Sequence, residues 1–105
     1  MFTDKEIKKI QVKVEPSSDE LALCEVFRIL GDRNRYRLMK TLLEMKELCV
    51  SNLSKVVDIS MSATSQHLRI LELSGLVTSE RMGQTICYKP VTNNPKLLPL
   101  LKLIK

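Results

Sequence analysis

Cysteine, glycine, histidine and aromatic side chains are all scarce in this chain, and each scarcity removes a class of function. Among 105 residues there are three cysteines, three glycines, one histidine and no tryptophan. Gly31, Gly75 and Gly83 stand far apart and form no phosphate-cradling loop. A single His67, outside any Cys/His or Ser/His/Asp arrangement, defines no catalytic site, so an enzyme is not expected. An odd, irregularly spaced set of cysteines makes no disulfide scaffold and suits a reducing compartment. No apolar run approaches the ~18 residues of a membrane span. The opening MFTDKEIKKI lacks the apolar core of a secretion signal, so a cytoplasmic protein without a membrane partner is expected. There is no internal repeat and no low-complexity tract.

What is present is enough for one modest core, with 44% hydrophobic residues, and 17 Lys and Arg against 12 Asp and Glu. The resulting charge of +5 favours partners that carry phosphate.

The stretch from Val50 to Val77, VSNLSKVVDISMSATSQHLRILELSGLV, orders two helices around a tight turn. Val50, Leu53 and Val57 recur at helical spacing, with Val56 beside them. Ser60 then stands where an N-cap belongs, Leu68 and Leu71 begin a second buried stripe, and Gly75 ends that helix. Ser62, Thr64, Ser65, Gln66 and Arg69 are read as its exposed face, a hydrogen-bonding surface with one positive charge and no carboxylate before Glu72. Such a face suits the major groove of DNA, and the order fits a helix-turn-helix. After Gly75 the pattern becomes extended. Two β-prone runs, one from Leu76 and one from Thr85 to Tyr88, flank a turn containing Gly83 and read as a hairpin wing. Arg81 and Gln84 lie at its tip and Lys89 follows, in reach of phosphate or the minor groove.

Upstream, Ser17 and Glu20 form a capping-box signature behind Pro16, which predicts a helix as far as Gly31 with Leu23, Phe27 and Leu30 on one face. Asp32 can cap the next helix, whose Tyr36, Met39, Leu42 and Leu43 would pack on the helix-turn-helix. Arg33, Arg35 and Arg37 crowd that helix start, where they oppose its dipole. Phosphate, or a local Asp32 or Glu44, would relieve them. Residues 1–16 mix helical and strand spacing and are read as a helical arm or dimerisation segment. Residues 17–92 form the DNA-binding domain. In residues 93–105, Asn94 and Pro95 look like an N-cap and first helical residue, and Pro99 bends or restarts that helix. Leu97 to Ile104 are too apolar to be solvated, so either a partner subunit or the N-terminal helices must cover them.

From about Leu21 to Val91 the chain resembles the ArsR/SmtB family of winged-helix repressors. Three stretches carry the resemblance: Phe27 to Met39, Glu47-Leu48-Cys49-Val50, and Ser60 to Val77 with its Ser-Gln-His-Leu core. The fold it implies is mainly α, a winged helix-turn-helix with a two-stranded β-hairpin wing. The function it implies is a homodimer that represses transcription from operator DNA and releases it on sensing a metal, metalloid or oxidant. The family pattern also places His67 on the DNA-facing side of the recognition helix. Arg33 replaces a proline frequent in the family.

The sensory side departs from the family. Ser51 and Ser54 stand where metalloid sensors carry further cysteines, and LLPLLKLIK offers none of the ligands that zinc-sensing relatives place there. Zinc takes about four ligands, so no metal site and no cofactor is expected. Cys49 has two readings, a thiolate favoured by the dipole at a helix start and hence redox-regulatory, or a small buried hydrophobe. Nothing in the spacing of Cys24, Cys49 and Cys87 requires them to meet. Two functions follow from these readings. One is a sequence-specific repressor in which Ser62, Thr64, Ser65, Gln66 and Arg69 meet the major groove, His67 assists, and Arg81 and Gln84 act from the wing on a two-half-site operator. The other is a winged-helix protein-interaction module with nonspecific or no DNA binding.

Overall fold

Two capping boxes open the helical part of the chain. Thr3 accepts from the amide of Glu6, whose carboxylate takes the Thr3 N–H, and α1 (Asp4–Val14) begins. Ser17 and Glu20 repeat the exchange at the start of α2 (Ser18–Leu30). The backbone hydrogen bond in each box holds the Glu6 and Glu20 carboxyls below the ordinary range. Asp32 caps α3 (Arg33–Met45), accepting from the amides of Asn34 and Arg35 at 3.0 Å each. There follow β1 (Leu48–Cys49), α4 (Val50–Val57), α5 (Met61–Leu73), β2 (Val77–Met82), β3 (Thr85–Pro90) and α6 (Leu98–Leu103). This is the architecture of the computed structural model, which describes residues 1–95 and 97–104.

The chain is mainly α with an antiparallel hairpin, as expected, but the sheet has a third strand. Its order is β1-β3-β2, with Leu48 opposite Tyr88 and Cys49 opposite Cys87. A two-residue strand carries no periodicity, so it is invisible to pattern reading. The hairpin runs from Val77↔Pro90 to Met82↔Thr85. Gly83 supplies at the turn the positive φ, 68°, that a two-residue hairpin loop needs.

Leu38, Met39 and Leu42 of α3, Leu53 and Val57 of α4, and Leu68 and Leu71 of α5 form the centre of the core, which Leu76, Val77 and Tyr88 extend to the wing's root. Burying such side chains contributes roughly 1.5–3 kcal/mol each, so this cluster fixes the helix-turn-helix against the hairpin. On α2 the buried residues are Val26 and Ile29 rather than the expected stripe: Leu23 and Leu30 flank them half-buried, and Phe27 faces out. Tyr36 likewise sits at the edge, while its neighbour Leu38 fills the centre.

The ends differ from expectation in detail. Pro95 does not start the last helix. The carbonyl of Asn94 accepts from the amides of Leu97 and Leu98 in a turn, and α6 begins after Leu97 with Pro99 in its first turn, where a missing N–H costs nothing. Leu101 and Ile104 are buried in the core, so part of the apolar tail is covered by its own chain, whereas Leu103 remains 80% exposed. Helix α1 buries none of its residues, and the molecule is 63 Å in its longest dimension.

Candidate nucleic-acid interface

Helix α4 ends at Asp58, whose left-handed backbone (φ 57°, ψ 49°) turns the chain in a conformation that aspartate tolerates well. Two residues later Ser60 caps α5, its hydroxyl accepting from the amide of Ala63 at 3.0 Å. The two helices are thereby held in helix-turn-helix order. On α5, Leu68 and Leu71 point into the core, and Ser62, Ser65, Gln66 and Arg69 are exposed together on the outer side. The helix offers hydroxyls, a carboxamide and a guanidinium, the groups that read base edges and phosphates.

Thr64 is a correction. It is fully buried, and its hydroxyl donates to the carbonyl of Ser60 at 2.8 Å, so it shapes the first turn of α5 and does not face solvent. The reason is periodic: Thr64 precedes Leu68 by four residues and Leu71 by seven, which puts it on their stripe. His67 is also not a free surface residue. Its side chain is 20% exposed, with Nδ1 3.3 Å from Arg35 Nη1 and 4.0 Å from an Asp32 carboxylate oxygen.

The three arginines at the start of α3 separate into different roles. Arg35 donates from Nε to the carbonyl of Ile29 at 2.8 Å and reaches His67. Arg37 donates to the carbonyls of Val57 at 3.0 Å and Val56 at 3.2 Å, closing the end of α4. Neither pairs with Glu44 among the described contacts. Arg33 is exposed beside Asn34, on a hollow that the α4–α5 turn also lines. Asp32 is held below the ordinary carboxyl range, chiefly by the Arg35 amide, with the Arg35 charge and the Asn34 amide adding to the effect.

In the wing, Arg81 and Gln84 are exposed at and beside the turn. Lys89 is engaged, 3.4 Å from Glu47, and braces the sheet's root. The Ser79 hydroxyl donates to Glu72, tying β2 to the end of α5. Burial raises the Tyr88 phenol above its ordinary range; Glu72 adds to that and Arg69 opposes it.

Cys49, the N-cap of α4, is joined by a disulfide to Cys87, and Cys24 is free and exposed. The pairing was not expected from spacing, because it depends on β1 lying in register with β3 across 38 residues of chain. Cys49 is half-buried and Cys87 fully buried. Among the described residues no three His, Cys, Asp or Glu side chains gather as metal ligands.

Residues 32–79 match the family model described as bacterial regulatory protein, arsR family. The cadmium resistance transcriptional regulatory protein CadC of Listeria innocua is 36% identical over 85 residues, covering 81% of this chain and 70% of the relative. The chain belongs to the ArsR family. A transcriptional repressor SmtB homolog of Synechocystis is 34% identical over 89 residues, covering 85% of this chain and 67% of that protein. Among solved structures, HlyU from Vibrio cholerae superposes with a TM-score of 0.74 at 26% identity, covering 84% of this chain and 92% of that one. As an ArsR-family member with a winged helix-turn-helix, the protein is a DNA-binding transcriptional repressor and not an enzyme. No helix among the described residues is long and apolar enough to cross a membrane.

Proposed function

We propose that two copies of this ArsR-family chain bind one operator, each laying α5 in a major groove of double-stranded DNA. The observation that carries the reading is the exposed polar face of α5, where Ser62, Ser65, Gln66 and Arg69 stand together opposite buried Thr64, Leu68 and Leu71. Gln66 is suited to a base edge and Arg69 to a guanine or a phosphate. Arg81 and Gln84 hold the flanking backbone or minor groove from the wing.

Residues 1–16 and 93–105 supply the dimer contact. Phe2, Val12 and Val14 on the α1 arm are exposed, as are Phe27 and Leu103, apolar side chains that one chain leaves uncovered. Phe27 and Leu103 line a hollow of about 340 Å3 between α2 and α6. A symmetric pair reads half-sites roughly 34 to 36 Å apart, and the repressor acts with its DNA in the cytoplasm. Selection of duplexes from a random pool, followed by footprinting and sedimentation of the complex, tests this. Two protected half-sites and a dimer are expected; a monomer on a single site contradicts the dimer, and no enrichment contradicts specific reading.

The signal that releases the operator is thiol oxidation at Cys49, a reading supported by its pairing with Cys87. Cys49, the less buried thiol, attacks a hydroperoxide oxygen; the O–O bond breaks, giving a sulfenic acid and water or an alcohol. The Cys87 thiol then displaces hydroxide as water, and the sulfur–sulfur bond ties the N-cap of α4 to the wing. Cys49→Ser is expected to abolish oxidant-driven release while keeping the affinity of the reduced protein. An equal oxidant response in mutant and wild type contradicts it.

A further inference from the structure

The core contacts between α3 and α5 run through aliphatic side chains, Leu38 and Met39 on one helix and Leu68 and Leu71 on the other. Such packing is strong but non-directional, and it leaves a helix some freedom to roll or slide. A helix that reads base edges needs its side chains held to about 0.5 Å. One directional contact is present at the reading end of α5, and His67 makes it.

A guanidinium only donates hydrogen bonds, so at 3.3 Å from Arg35 Nη1 the His67 Nδ1 is the acceptor and the ring's own proton lies on Nε2. Arg35 is itself fixed, with Nε on the Ile29 carbonyl at the end of α2 and its amide on Asp32. Asp32 faces the same His67 nitrogen at 4.0 Å while capping α3. The imidazole therefore joins α5 to the corner where α2 ends and α3 starts, immediately after Gln66 in the sequence.

We propose that His67 is a positioning residue for DNA recognition: it accepts from Arg35 and fixes the rotation of α5, and it reads neither bases nor phosphates itself. The inference rests on α5 being the helix that enters the groove, and it reverses the family-based expectation that His67 faces DNA. A neutral acceptor that is mostly covered adds no charge to the interface. Its removal then acts through Arg35, on every base contact of the helix at once.

The test is a double-mutant cycle read by fluorescence anisotropy on a duplex that the wild-type protein has selected from a random pool, at two salt concentrations. Thermal unfolding of each protein is followed in parallel. His67→Leu keeps bulk and removes the acceptor; it is expected to weaken the selected duplex by about five-fold or more and to leave binding to random duplex and the salt slope unchanged. His67→Asn, whose amide offers an acceptor close to the backbone as Nδ1 does, is expected to restore affinity to within about two-fold of wild type. Adding His67→Leu to Arg35→Met is expected to cost nothing further, because Arg35→Met has already removed the contact that His67→Leu breaks.

Independent losses in the double mutant, a salt slope lowered by His67→Leu, or an affinity unchanged by it would each overturn the proposal. Lowered stability with full affinity in the folded protein would overturn it too, since that is a purely structural role. If His67→Leu does not fold, the cycle is closed with His67→Ser and Arg35→Met and judged by the same criteria. Gln66→Ala serves as the control for the underlying reading. If neither Gln66→Ala nor His67→Leu changes binding, α5 is not the reading helix; if only Gln66→Ala does, the positioning role alone fails.

Discussion

Arg37 on α3 ends the helix that follows it: its guanidinium lies 3.0 Å from the carbonyl of Val57 and 3.2 Å from that of Val56, the last residues of α4. A cation at a helix C-terminus meets both the dipole and the unpaired carbonyls. Arg37→Met is expected to cost about 1–2 kcal/mol of stability, measured by urea unfolding, with unchanged base preference. Arg37→Lys recovers only part, since an ammonium lacks the planar fork that spans two carbonyls.

Asp32 gives the fold an acid limit. Its carboxyl is held below the ordinary range chiefly by the Arg35 amide, so the folded state favours the ionised form. A depressed carboxyl contributes stability that is fully present above its unfolded value, about 3.9, and that is lost as pH falls through the folded value. Asp32→Ala is expected to cost about 1 kcal/mol near neutrality through the lost cap. The gap between its urea midpoint and that of wild type should narrow as pH drops below about 4; a gap constant with pH contradicts this assignment.

Thr64 separates packing from reading. Thr64→Val keeps the shape and loses the hydroxyl bond to Ser60, whose carbonyl still accepts the Thr64 amide at 2.9 Å. A loss of about 0.5–1.5 kcal/mol is expected, with the same selected duplex as wild type. A changed base preference at constant stability would mean that Thr64 touches DNA.

The wing and α5 are expected to fail differently. Arg81→Ala should weaken all duplexes alike and lower the salt slope by about one, as for a phosphate contact. Gln66→Ala should relax preference at one or two positions with little change in slope. Gel-shift titration at several salt concentrations distinguishes the two behaviours.

The elements were legible wherever a local rule operates. Ser17 with Glu20, Asp32 and Ser60 announce three helix starts, and the β-prone runs around Gly83 announce the hairpin. At Thr64 two sequence signals conflict: its spacing to Leu68 and Leu71 marks the buried stripe, whereas its chemistry suggests surface, and the spacing prevails. Arg35 with His67 and Cys49 with Cys87 were not legible, because each pair is made by tertiary register between distant segments. The start of α6 was obscured by two prolines, Pro95 and Pro99, both acceptable in a first turn. Of the face read as exposed on α5, Ser62, Ser65, Gln66 and Arg69 lie on the surface and Thr64 does not.

The central claim is that the outer face of α5 reads base edges, and replacing single adenines of the selected duplex by 7-deazaadenine tests it most directly, since this removes only the N7 acceptor in the major groove. Glutamine pairs with adenine through N6 and N7. One such replacement is expected to cost the wild-type protein about five-fold or more in affinity and to cost Gln66→Ala nothing. Wild-type binding indifferent to every replacement, or equal losses in the two proteins at every position, would contradict the account.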